Sequence, residues 1–177
     1  MIKKISKIQF LILFVVSISI MSSCSRKVVK VVENDKKSNS DPLIIAERNA
    51  SKEGRAILEV GRKMVFDEKA IIKGSCWDYI NEVYKRAGYG TNKTIVFKSK
   101  KSGPYVNISK IEPGDWLYYV NHSYGGVEHS GIFVHWKDFK NKIGVTLSYG
   151  GEHRNEPGRY REYDLKSVYY ITRPGSK

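Results

Sequence analysis

The sequence predicts an α+β domain, with helices in its first half packed on an antiparallel β-sheet built from its second. Three observations lead there. Before residue 88 apolar residues recur at helical spacing: Ile57, Leu58, Val60, Gly61 and Met64 form one side of a segment, and Cys76, Ile80, Val83 and Ala87 fall at i, i+4, i+7 and i+11 of another. After residue 111 the apolar runs are short, rich in β-branched and aromatic residues, and separated by turn-forming stretches. Helices that precede the strands, rather than alternate with them, favour an antiparallel sheet over a parallel one.

The chain opens with Lys3, Lys4 and Lys7, an apolar run from Ile8 to Met21, and then Ser22-Ser23-Cys24. A run of this length is short for a membrane span and has the form of a signal peptide over residues 1–23. Residues 24–42 are basic and then polar, as in a flexible tether, although Val28 and its neighbours to Val32 are apolar enough for a short strand. The folded domain is expected over 43–177. Removing 23 of the 177 residues leaves about 154, enough for one domain with a real core.

A short helix is expected at 43–50, then a longer one over 51–66 with Ser51 as its N-cap. Residues 67–73 form a loop. The helix that starts at Cys76 ends at Gly88, where a left-handed stop is expected, and Lys85 and Arg86 complement the dipole of its last turn. Strands are expected at 94–97, 116–120, 129–136 and 143–149. Pro113-Gly114-Asp115 makes the turn before the second of these. Residues 150–161 read as a mobile basic loop, and 163–173 as a last short turn and strand, which completes a meander.

The formal net charge is +13, or about +10 once the three leader lysines are gone. A surplus of this size favours anionic partners, although it also serves solubility beside a membrane. The export signal and the lack of a helix-turn-helix, zinc-finger or ribonucleoprotein pattern argue against nucleic acid. No His, Cys, Asp or Glu group has ligand spacing, so neither a metal nor another cofactor is expected.

The two cysteines are Cys24 and Cys76. Cys76 sits in the first turn of its helix, where backbone N–H groups and the positive helix end stabilise a thiolate. A small buried hydrophobe is the plain alternative, since free cysteine is among the most buried residue types. An unpaired thiol is an oxidation hazard in an exported protein, which makes it a candidate nucleophile. A nucleophile of this kind needs a base. Among the histidines, His129 opens an apolar strand directly after a loop. His135 lies about 20 Å further along, at roughly 3.4 Å per residue, and His122 and His153 sit in loops.

Two resemblances add to this reading. Ser22-Ser23-Cys24 resembles the lipobox of bacterial lipoproteins. That implies cleavage before Cys24, acylation of Cys24, and a membrane-anchored protein facing the periplasm. The helix-start Cys76, then Pro113-Gly114-Asp115-Trp116-Leu117-Tyr118-Tyr119, then His129-Ser130-Gly131-Ile132-Phe133-Val134 resembles the NlpC-type branch of papain-like cysteine peptidases over about residues 51–149. The resemblance implies a papain-like fold with Cys76 as nucleophile and His129 as general acid/base, joined as a thiolate–imidazolium pair. It also implies an oxyanion site at the Cys76 N–H and its helix neighbours, and peptidoglycan peptides or another anionic envelope polymer as substrate. A third polar residue should orient the imidazole. Tyr149 is the first candidate, with Ser148 and His153 also open. Common members read Asp-Cys-Ser-Gly where this chain has Ser75-Cys76-Trp77-Asp78, which bears on substrate identity. The alternative is an inactive papain-like lipoprotein that binds or assembles cell wall. Acyl transfer is a further option, opposed by the cysteine-before-histidine order.

Overall fold

The computed structural model describes residues 40–176. The chain divides into two compact units, Met1–Ile44 and Ile45–Lys177. The expected leader, the expected lipidation at Cys24 and nearly all of the expected tether lie outside the described residues. In the first unit, Asp41 Oδ1 accepts from the Leu43 N–H at 2.9 Å at the start of helix α1 (Pro42–Asn49).

In the second unit the helices are held by caps and by one buried carboxylate. Ser51 caps α2 (Lys52–Phe66), its Oγ accepting from the Gly54 N–H at 3.0 Å as expected. Glu47 is buried and accepts from Arg62 Nε at 2.6 Å and Nη2 at 3.3 Å, while Arg55 Nε donates to the Glu47 carbonyl at 2.9 Å. A forked guanidinium can satisfy a desolvated carboxylate in this way. Helix α3 (Cys76–Arg86) ends as expected, with Gly88 at φ +83°.

The strands are β1 (Lys93–Lys98), β2 (Trp116–Asn121), β3 (Val127–Asp138), β4 (Ile143–Ser148), β5 (Arg159–Asp164) and β6 (Val168–Pro174). They form one antiparallel sheet in the order β1-β6-β2-β3-β4-β5, so the α+β class holds. The simple meander does not. β2 to β5 follow one another, but β6 returns to lie between β1 and β2. The loop expected at 150–161 is also shorter than the sequence suggested, because Arg159, Tyr160 and Arg161 pair with Ser148, Leu147 and Thr146. Their alternation is polar on both sides, which hides a strand at a sheet edge from hydropathy.

Both faces of the sheet are used. The helices cover one. Tyr84 of α3 donates its hydroxyl to the Gly114 carbonyl at 2.7 Å and its ring meets Trp116 at 5.5 Å. Leu117, Tyr119 and Phe133 point to the other face, where Val106, Ile111 and Leu165 from connecting segments close a second cluster. The Pro113-Gly114-Asp115 turn links helix and sheet. Gly114, at φ +95°, would bring a Cβ to 2.5 Å from Gly54 Cα, so α2 crosses this turn backbone to backbone. Asp115 is buried and held by Arg173, whose Nε and Nη2 donate at 2.7 and 2.9 Å.

Candidate active site

Cys76 is the first residue of α3, and the local sequence explains why the helix starts there. Gly74 stands at φ +111°, where a Cβ would collide with the Asp78 carboxylate. Ser75 and Asp78 form a capping box. The Ser75 Oγ accepts from the Trp77 N–H at 3.2 Å, and Asp78 Oδ2 accepts from the Ser75 N–H at 2.7 Å and from its hydroxyl at 2.9 Å. These bonds, the backbone one first, hold the Asp78 carboxyl below its usual range. The cap also uses the Trp77 N–H, one of the donors expected to face an oxyanion. Inward packing falls to Tyr79, Ile80, Val83 and Tyr84, and Cys76 stays half-buried at the helix head.

A cleft of about 760 Å³ opens there. Its lining includes Gly74, Cys76, His129, Ser148, Tyr149 and Tyr163. The segment after β4 is fastened to the approach to α3. The Tyr149 hydroxyl donates to the Ile72 carbonyl at 2.8 Å, and the Glu152 N–H donates to the Gly74 carbonyl at 2.9 Å. The charges on the walls balance. Arg154, Arg159 and Arg161 stand with Asp78, Glu152 and Glu162, so the chain's positive surplus is not concentrated here.

The expected thiolate–imidazolium pair is not made. Cys76 Sγ accepts instead from the hydroxyl of Ser130, at 3.6 Å. Strand alternation explains this. In the β2–β3 ladder Tyr118 faces Ser130 and Trp116 faces Ile132, and Trp116 packs against Tyr84 and Trp77 of α3. Ser130 is therefore on the helix side of β3. His129, one residue earlier, is paired with Tyr119 and points to the other side. Its ring lies edge-on to Tyr119 at 5.6 Å and tilted against Tyr163 at 5.5 Å. Burial lowers the imidazole to about 4, so the ring is neutral at ordinary pH and not the cation of an ion pair.

Tyr149 does not orient this imidazole. Its ring stacks on Tyr79 at 4.6 Å and its hydroxyl is spent on Ile72. Ser148 bonds Tyr163, Oγ to Oη at 2.9 Å, which fixes one wall around His129 from a distance. His153 is exposed on the cleft rim. Two other histidines are engaged elsewhere, His122 with the Ser167 hydroxyl at 2.8 Å and His135 with the Trp136 carbonyl at 3.1 Å. Sequence reasoning missed Ser130 and the two tyrosines beside His129. The alternation of β3 placed Ser130 opposite His129, but nothing in the sequence said which side α3 would cover.

No family model matches the chain, and neither does any curated protein or solved structure.

Proposed function

We propose that the chain is a lipid-anchored cell-envelope cysteine hydrolase of the NlpC-type papain-like class, cleaving amide bonds in peptidoglycan peptides. One observation carries this reading: a thiol at the capped head of a helix and a neutral imidazole stand on the walls of a single cleft. Cys76 attacks the amide carbonyl, and the tetrahedral oxyanion lies by the helix N-terminus. His129 takes up the thiol proton and later delivers it to the departing amine. Ring and sulfur make no direct bond, so the proton passes between them by way of solvent in the cleft, and the Ser130 hydroxyl steadies the sulfur meanwhile. Water then hydrolyses the thioester, with the imidazole as base. A lipid on Cys24 would keep the domain within reach of the wall.

The test compares purified sacculi treated with the native protein and with Cys76→Ala, read by mass spectrometry of released peptides. New peptide ends are expected from the native protein alone. Equal product from both refutes the proposal.

A second reading is favoured by the Ser130–Cys76 contact and the turned-away imidazole: a papain-like lipoprotein that binds or assembles cell wall without cutting it. Thiol alkylation at pH 6 separates the two. A nucleophile reacts in the folded protein, whereas a structural thiol reacts only after denaturation.

A further inference from the structure

We infer that the β1 edge of the sheet is a docking surface for an anionic lipid bilayer. None of its lysines lines the cleft, and the inference stands whether or not Cys76 is a nucleophile. Residues 88–111 contain Lys93, Lys98, Lys100, Lys101 and Lys110 and no acidic residue. None of these five lysines joins an ion pair among the described residues. The adjoining strand β6 has no acidic residue, and beyond it Glu112 and Asp115 hold Arg173 while Glu128 accepts from the Tyr169 hydroxyl at 3.0 Å.

Two of these lysines, Lys93 and Lys98, lie over a row of aromatic rings. Trp77 meets Trp116 at 5.7 Å, Trp116 stacks on Tyr118 at 5.4 Å, and Tyr118 meets Tyr170 at 5.0 Å. Lys93 lies over Trp116 at 5.1 Å and Lys98 over Tyr170 at 5.9 Å, which places both ammonium groups on the ring-bearing face. Trp77 is 46% exposed, and Ile95, two residues from Lys93 and on its side of the strand, is 58% exposed.

Chemistry favours a bilayer over a soluble polyanion. Tryptophan and tyrosine suit the headgroup boundary, where one end of the ring is dry and the other wet. Lysine stems lie along apolar surface while their charge reaches the phosphates. An exposed isoleucine gains from burial in acyl chains and has nothing to offer a polyanion or a sugar ring. The edge is open and shallow, unlike the walled cleft. Lysines along it also prevent strand-to-strand aggregation, a role that alone would not require the neighbouring exposed Trp77.

Residues 45–177 form a compact unit that holds the whole sheet, and the chain from Asp41 on is tested once circular dichroism and a cooperative thermal transition show that it folds. It is sedimented with vesicles of phosphatidylcholine alone and with 30% phosphatidylglycerol added, and separately with sacculi. Binding to the anionic vesicles is expected, weakening with salt, with a blue shift of tryptophan fluorescence that Trp77→Phe removes. Each lysine near an anionic surface contributes enough that Lys98→Gln/Lys100→Gln/Lys101→Gln should lower partitioning roughly a hundredfold. Lys52→Gln/Lys63→Gln/Lys69→Gln, elsewhere on the surface, should lower it far less. Equal loss from the two triple variants, equal binding to neutral vesicles, or binding to sacculi but not to vesicles overturns the inference.

Discussion

Replacing His129 by phenylalanine should remove the imidazole's own share of the acid sensitivity of folding. The imidazole lies between Tyr119 and Tyr163, and burial lowers it from 6.5 to about 4. The folded ring thus titrates below the unfolded one. Its contribution to stability is complete above about pH 6.5 and is lost as the pH falls toward 4, because only the unfolded chain takes up the proton in that window. At pH 4.5 the unfolded imidazole is almost fully charged and the folded one mostly neutral, a loss of about 2.5 kcal/mol relative to pH 7. Phenylalanine preserves a ring of similar size between the tyrosines and cannot protonate. Urea denaturation followed by tryptophan fluorescence at pH 7 and pH 4.5 measures the difference for each protein. His129→Phe should lose about 2.5 kcal/mol less than the native chain. Other titrating groups, Asp115 among them, act alike in both and cancel. Identical losses would mean that the ring is not held neutral, and the account of a neutral base in the cleft would fall with it.

Breaking the Asp115–Arg173 fork should be the most damaging change away from the cleft. Arg173→Ala leaves a buried carboxylate without its partner and should cost about 3–5 kcal/mol in urea denaturation. Desolvation already raises Asp115, and the arginine opposes it, so the variant's deficit should shrink as the pH is lowered. Gly54→Ala places a methyl 2.3 Å from the Pro113 carbonyl oxygen, where two backbones meet, and should cost about 1–3 kcal/mol, seen as a lower thermal midpoint. Ser75→Ala removes the cap of α3 at a cost of about 1 kcal/mol. It should move the Asp78 carboxyl only part of the way back to its usual range in an NMR titration, because the larger cause, the Ser75 N–H, remains.

Most of the elements were legible because their signals are local. Ser51 and Gly88 mark helix ends through side-chain capping and left-handed backbone, and Pro113-Gly114-Asp115 marks the turn into β2, all of it settled within a few residues. The sequence by itself therefore determined that helices come first, that an antiparallel sheet follows, and that Cys76 heads a helix. Pairing partners are not local. β6 enters the sheet between β1 and β2, some 50 residues or more from either in sequence, and β5 pairs at an edge where polar residues suffice.

The cleft divides in the same way. Alternation along β3 settles that residues 129 and 130 point oppositely, but the side on which α3 packs decides which of them meets the thiol. Tertiary structure gives that place to Ser130 and leaves His129 among tyrosines. A single-residue change of face is invisible to periodicity, because both faces of this sheet are buried and the apolar pattern fits either one.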